Sequence, residues 1–347
     1  MKVLLTGSAG FIGSAIGDRL EARGDEVVRV DVMLAQAHGG ATPPPGTHQV
    51  DVRDLAALHE LVGGVDVVCH QAALVGAGVT VSDLPLYASH NDLGTAGLLS
   101  AMHDHDVHRI VLASSMVVYG EGHYDCPDHG TREVRPREIA RLDAGDFDNH
   151  CDVCGSALEW RLVEESARLD PRSAYAASKL AQEHYAAAWA RQAGGAAVAL
   201  RYHNVYGPGM PRDTPYSGVA AIFRSSLERG EAPRVFEDGG QMRDFVHVDD
   251  VARANLAAID AVVAAPTGAL SAYNVCSGRP VSIADVARLV ARGSGRALEP
   301  ETTGDYRPGD VRHVVASPAL ATAELGFTAS VAPEEGLPAF ATAPLRA

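Results

Sequence analysis

Strand-like apolar runs recur along the first two thirds of the chain, at 2–6, 26–31, 65–70, 109–114 and 197–202. Between them lie stretches with a helical repeat, at 11–23, 53–62, 91–104 and 175–193. The first thirty or so residues form a strand, a glycine turn, a helix and a second strand, which is a βαβ unit. Strands alternating with helices predict an α/β fold built on a parallel, doubly wound Rossmann sheet.

After Gly207 the pattern loosens. Pro208, Pro211, Pro215 and Pro233 punctuate it, a strand returns at 244–248, and helices at 249–264 and 282–293 close a smaller lobe. The expected division is a Rossmann domain at 1–120 and 163–204, to which 243–262 returns. An insertion occupies 121–162, and a smaller C-terminal lobe takes 205–242 and 263–340. Residues 38–46 read as a Gly/Pro-rich loop, and the tail after Val331 as poorly ordered. No internal repeat is found.

At 347 residues, 46% apolar and 21% charged, the chain suits one large α/β domain or two lobes with their own cores. Gly7, Gly10 and Gly13 break the N-terminal apolar run well short of a membrane span, and no later run reaches that length, so no membrane partner and a cytoplasmic location are expected. The net charge of -15 argues against nucleic acid as a partner. Five cysteines are too few and too clustered for a secreted disulfide scaffold, and Cys69 and Cys276 read as core thiols.

Gly7-x-x-Gly10-Phe11-Ile12-Gly13 lies between a strand and a helix, where glycines allow a tight turn and let a pyrophosphate approach the helix N-terminus. Asp31 ends the second strand about twenty residues on, the position from which a carboxylate takes both ribose hydroxyls. It would repel a 2′-phosphate, so the expected cofactor is NAD. Asp51-Val52 is placed to cap the adenine. The plain alternative for Asp31 is a turn carboxylate.

Tyr175 and Lys179 stand one helical turn apart and share a face. An ammonium there favours the phenolate and fits the tyrosine to act as a base. Lys179 is one of two lysines in the chain, the other being Lys2. Taken alone, the pair also fits an ordinary surface helix.

Several further motifs occur in order: His70-Gln71-Ala72-Ala73, Asn91 with Gly94-Thr95, Ser114 to Gly120, Arg201-Tyr202-His203-Asn204-Val205-Tyr206-Gly207-Pro208, Arg243 to Asp250, and Arg307-Pro308-Gly309-Asp310. With the glycine turn, Asp31 and the Tyr175–Lys179 pair, the chain resembles the extended short-chain dehydrogenase/reductase family, and within it the NAD-dependent nucleotide-sugar epimerases and dehydratases. The resemblance implies that Ser115 bonds the reacting sugar oxygen, Tyr175 is base and acid, and Lys179 contacts the nicotinamide ribose and lowers the tyrosine pKa. It implies that Ala72, Ala73, Asn91 and Tyr202 border the dinucleotide. Asn204, Arg243 and Arg307 become ligands of the sugar nucleotide, a UDP- or dTDP-hexose, with the arginines suited to phosphate oxygens. Phe236 either stacks on the nucleobase or fills the small lobe.

The two residues after Ser115 narrow the reaction. Dehydratases of this family carry Asp-Glu there, and its decarboxylases a Glu; this chain has Met116-Val117, neither of which moves a proton. Oxidation at C4, rotation of the ketosugar and hydride return remain, which is 4-epimerisation. The alternatives are a sugar-nucleotide dehydrogenase, reductase or dehydratase and, in another class, a non-enzymatic NAD-sensing regulator, which would normally have lost Tyr175 and Lys179.

Ser115 and Tyr175 are 60 positions apart, farther than in simple members of the family. The inserted segment carries Cys126-Pro-Asp-His129-Gly130 and Cys151-Asp-Val-Cys154-Gly155, two knuckles whose Cys3His set suits a structural zinc. A redox pair at Cys151 and Cys154, or plain loop thiols, are the alternatives. The insert is expected to cover or shape the sugar pocket. With it, the pattern is most similar to bacterial dTDP-L-rhamnose 4-epimerases and related hexose 4-epimerases, departing at His203 and at 83–90. The family commonly pairs helices matching 91–104 and 175–193, so a homodimer is expected. His103, His105 and His108 with Asp104 and Asp106 read as a solvated helix end rather than a second metal site.

Overall fold

The computed structural model describes residues 1–76, 80–212 and 218–346. Its centre is a seven-stranded parallel sheet built on β1 (Lys2–Thr6), β2 (Glu26–Asp31), β3 (Thr47–Gln49), β4 (Val67–His70) and β5 (Arg109–Ser115). The spatial order is Ala269–Val275, Ala196–Tyr202, β5, β4, β1, β2, β3. Val3, Leu4 and Leu5 are fully buried, as are Val67, Val68 and Cys69, because helices cover both faces of a parallel sheet. One face packs under α1 (Phe11–Arg23) and helix Val248–Ala264, the other under helices Leu55–Val62, Gly94–Asp104 and Ala174–Ala193. Cys69 and Cys276 are buried thiols.

A second lobe is built on a three-stranded sheet of Asn204–Tyr206, Met242–His247 and Pro280–Ser282. Helices Val219–Glu228, Ile283–Gly293 and Pro333–Phe340 bury Phe223, Phe245, Val290 and Phe340 beside it. Two boundaries differ from the expected division. Strand Met242–His247 pairs within the small sheet rather than returning to the large one, although the helix after it does return. Strand Ala269–Val275, assigned by pattern to the lobe, extends the large sheet beside Ala196–Tyr202.

The tail is also a correction. Beyond Val331 the chain forms helix Pro333–Phe340, whose Leu337 and Phe340 lie one turn apart and are buried in the lobe's core. The segment then runs back along 209–212, with Arg346 pairing with Pro211. Residues 121–162 form a small antiparallel sheet, with His123–Cys126 between Gly130–Arg132 and Glu159–Arg161. Among the described residues, no helix is long and apolar enough to cross a membrane.

Candidate active site

A cavity of about 1170 Å³ runs from the tip of β2 across the sheet's carboxyl edge to the second lobe. At one end lie Gly7, Gly10, Phe11, Ile12 and Gly13. Gly7 adopts φ +67°, and a Cβ there would sit 2.7 Å from the Ala72 amide; one on Gly13 would sit 2.0 Å from the Gly7 carbonyl. The turn is thus pressed against both the 71–73 segment and its own helix, leaving the start of α1 open to a pyrophosphate. The glycine cradle and the carboxylate at the end of β2 fit NAD. Asp31 accepts from the amides of Ala9 (3.0 Å) and Met33 (2.8 Å), and His38 Nε2 lies 3.3 Å away. Burial pushes its pKa up, but His38 and these amides outweigh burial and hold it below the usual value. The His38 pairing had no signal in the sequence.

Asp51 and Val52 line the same end, with Asp51 gripped by Arg53 Nε at 2.9 Å. Ala72 and Ala73 also line the cavity. Thr6 Oγ1 accepts from the Ala72 amide (3.1 Å) and meets His70 Nδ1 (2.8 Å), whose Nε2 reaches Thr95 Oγ1 (3.0 Å). This buried chain fixes the 71–73 segment. Asn91 stands one layer behind the lining: it is fully buried and bonds the Leu74 amide (2.7 Å), the Leu74 carbonyl (2.9 Å) and Ser178 (2.8 Å), Leu74 itself facing the cavity. The wide π-helical turn Ala88–Leu93 carries it behind the pocket, where it positions Leu74. Tyr202 lines the cavity, and its hydroxyl donates to Gln71 Oε1 at 2.9 Å.

Ser115 ends β5, while Tyr175 and Lys179 lie in the first turns of helix Ala174–Ala193, which Ser173 caps by accepting from the Ala176 amide at 3.1 Å. The structure brings all three onto the cavity wall despite their separation in sequence. Lys179 Nζ donates to the Ala113 carbonyl (2.9 Å) and lies 6.0 Å from the Tyr175 ring centre. The Tyr175 ring opens onto the cavity but is deep in the molecule; burial raises its pKa to about 12 against the bond from Ser115. Burial likewise lowers Lys179 to about 7, against the pull of Glu183. The helix is fixed by Glu183, which accepts from Arg201 at 3.0 and 2.8 Å and also bonds Ser114. Met116 and Val117 line the wall beside Ser115.

Toward the second lobe the cavity adjoins another of about 800 Å³. Asn204 and Arg307 border both, while Phe236 and Arg243 line the second. The Asn204 Oδ1 and Gln241 Oε1 atoms are buried without partners among the described residues. Arg243 donates to the carbonyls of Arg312 (2.9 Å) and Val311 (2.7 Å), so it is fixed to the chain segment that follows Arg307. Phe236 is covered by the Arg307 guanidinium, 5.2 Å from its ring centre. His203 lines the first cavity, and neither ring nitrogen has a partner in hydrogen-bond geometry among the described residues; burial and then Arg243, against the nearby Asn274 side chain, hold it neutral, with a pKa of about 3.

Residues 3–139 and 153–276 match the NAD dependent epimerase/dehydratase family. The chain belongs to this family. It is 36% identical to a dTDP-L-rhamnose 4-epimerase of Burkholderia thailandensis over 97% of this chain and 93% of that protein. Among solved structures it is similar to a Thermotoga maritima UDP-glucose 4-epimerase with UDP-glucose, at 28% identity, 98% and 97% coverage and a TM-score of 0.79. It is also similar to the Thermus thermophilus UDP-glucose 4-epimerase complex with NAD, at 32% identity, 98% coverage of each chain and a TM-score of 0.76.

In this epimerase/dehydratase-family chain the family match is interrupted inside the insertion, between 139 and 153. The insertion gathers Cys126, His129, Cys151 and Cys154, with one donor atom from each within 4.8 Å of the others. Cys126 Sγ lies 3.6 Å from Cys154 Sγ and 3.4 Å from His129 Nδ1, and Cys151 Sγ lies 3.8 Å from His129 Nδ1. A tetrahedral zinc with bonds near 2.3 Å spaces two sulfurs by about 3.8 Å, so the four atoms suit one ion. His103, by contrast, gathers with no such set among the described residues.

Proposed function

We propose that this chain catalyses NAD-dependent 4-epimerisation of a nucleoside-diphosphate hexose, a UDP- or dTDP-sugar. The observation that carries the reading is the wall of the first cavity: Ser115, Tyr175 and Lys179 converge there, and Met116 and Val117 beside them have no group that exchanges a proton. Ser115 and Tyr175 would hold the C4 hydroxyl, and the tyrosine would take its proton. The glycine turn, Asp31 and Lys179 would hold NAD, which would supply reversible hydride transfer at C4. Tyr175 then returns the proton, so that no carboxylate is needed at C5. Asn204, Arg243 and Arg307 would hold the diphosphate and its nucleoside while the sugar turns.

The test is a panel of UDP-, dTDP- and GDP-hexoses incubated with the protein in deuterated water and analysed by NMR. Inversion at C4 without deuterium at C5 supports the reading; deuterium at C5 points to a dehydratase, and stoichiometric NADH to a dehydrogenase. A Tyr175→Phe protein that interconverts the same sugars at the wild-type rate refutes the assigned base.

The Cys/His set is proposed to hold one structural zinc, supported by the spacing of its four donors, and metal analysis of the purified protein tests it. A cytoplasmic setting suits thiols that remain free. A homodimer is proposed from Leu86, Leu93 and Tyr185, exposed on the helical face beside the active site. Light scattering at the monomer mass overturns it.

A further inference from the structure

The insertion is joined to the substrate side by buried contacts that involve neither the metal donors nor the reacting residues. Arg137, whose side chain is 5% exposed, donates to both carboxylate oxygens of Glu237, at 2.7 and 3.0 Å. The same guanidinium donates to the Phe147 carbonyl inside the insertion (2.9 Å) and to the Asp310 carbonyl outside it (2.8 Å). Glu237 accepts a further bond from Arg312 Nη1 (2.9 Å), and Arg312 reaches back to Asp148 of the insertion at 3.1 Å. The Arg312 amide donates to the Glu121 carboxylate at 2.9 Å.

The position of Glu237 gives these contacts a consequence. It follows Phe236, adopts φ +53°, and is joined by its backbone to Asp305 (2.7 Å) and Gly304 (3.2 Å). A left-handed residue that is not glycine persists when its surroundings hold it there. One buried carboxylate therefore ties the Phe236 turn to 304–312, the segment that carries Arg307 over Phe236 and supplies the carbonyls that grip Arg243. If this segment shifts, Arg243 and Arg307 at the second cavity shift with it.

We infer that Arg137 is a positioning residue for nucleoside-diphosphate binding and that the metal knuckle anchors the segment presenting it, so that metal occupancy and substrate affinity are linked. The nucleotide part rests on the epimerase reading, and the anchor on the metal reading. The insertion's own core is small, Tyr124, Cys126, Cys151 and Leu158 with Val134 and Trp160 packed against them, and two of its four buried members are the proposed metal donors, so loss of the ion loosens it. Once that segment loosens, Glu237 loses one of its two arginines while remaining buried, and the turn it fixes is freed. Ser115, Tyr175 and Lys179 belong to a different set of contacts and keep their geometry.

The experiment uses the full-length protein as purified, with Arg137→Met, Arg137→Lys, Cys151→Ser and the Cys151→Ser/Arg137→Met double variant. Metal content, NAD content, calorimetric Kd for UDP and dTDP, and kcat and KM on the turned-over sugar are measured. Arg137→Met is expected to keep metal and NAD, weaken the preferred nucleotide and raise KM by about tenfold, with kcat within about threefold of wild type; Arg137→Lys recovers part of the loss. Cys151→Ser is expected to lose metal and weaken the nucleotide to the same extent, the double variant going no further. Wild-type affinity in Arg137→Met overturns the positioning role, and wild-type affinity in metal-free Cys151→Ser overturns the linkage. If Cys151→Ser does not fold, chelation of the wild-type protein followed by the same titration serves, with unchanged affinity overturning the linkage. A wild-type protein without metal overturns the metal reading and with it the linkage, while Arg137→Met still tests the positioning. Nucleotide binding without turnover overturns the epimerase reading and leaves Kd to test the positioning.

Discussion

Replacing Lys179 by Met should give an enzyme that is slower and, at neutral pH, more stable. The rate follows from charge. With Nζ about 6.0 Å from the Tyr175 ring, an ammonium favours the phenolate by about 3 kcal/mol at an effective dielectric near 20. Burial holds Lys179 at about 7, so only its protonated fraction acts: the loss should reach about 100-fold below pH 7 and shrink as the pH rises above it. The stability follows from burial. The Lys179 pKa falls from 10.5 to about 7, so the folded state disfavours the charged form on the order of 5 kcal/mol. Loss of the bond to the Ala113 carbonyl offsets about 1 kcal/mol of the gain. The sign is that of a depressed lysine: the cost is full below about pH 7 and fades as pH climbs toward 10.5. For 347 residues the unfolding entropy is near 0.7 kcal/mol/K, so the melting temperature should rise by about 4–6 °C at pH 7. Scanning calorimetry at matched NAD content, at pH 7 and pH 10, with kcat across the same range, reads both effects. A variant less stable than wild type at pH 7, or a rate loss with no displacement of the pH profile, would refute the reasoning.

Gly13→Ala places a methyl 2.0 Å from the Gly7 carbonyl, and the turn must open; the purified variant should carry under about a tenth of the wild-type NAD by absorbance after denaturation. Arg201→Met leaves Glu183 buried with Ser114 as its remaining side-chain partner; the expected loss is about 3–5 kcal/mol in urea unfolding, and a midpoint unchanged from wild type counts against the pair. His203→Phe removes two ring nitrogens that have no hydrogen-bond partner among the described residues from the cavity wall; NAD content should hold while KM for the sugar nucleotide rises about tenfold, and an unchanged KM shows that the imidazole does not bond the sugar.

β1, β4, β5 and Ala196–Tyr202 were readable because each is buried on both faces and therefore written as a short apolar run. Ala269–Val275 was not, since Ser271 and Asn274 interrupt its pattern and the intervening lobe separates it from its neighbours in the sheet. The helix holding Leu337 and Phe340 escaped because two apolar side chains among Ala, Pro and Glu carry little periodicity of their own. Motif spacing located Tyr175, Lys179, Ser115 and the glycine turn, which depend on local geometry at the ends of regular elements. It could not tell that Asn91 stands behind the wall, bonded to Leu74, because its direction is set by a local widening of the helix. Contacts between distant polar groups, such as His38 with Asp31 or Arg137 with Glu237, have no periodic signature.

The long connection between Ser115 and Tyr175 is tolerable because it does not set their geometry. Ser115 is positioned by β5, and the Tyr175 helix by its Ser173 cap and by Glu183, which joins it to Ser114 and Arg201. With both ends fixed by the sheet, lengthening the loop costs little, since closure entropy grows only with the logarithm of length. The added segment was free to extend over the second lobe, where it meets Glu237 and 305–313. The contacts around Glu183 and those around Glu237 share no residue. Damage to the first should appear in stability and kcat, and damage to the second in KM, so the two carboxylates separate holding the catalytic groups from holding the nucleotide.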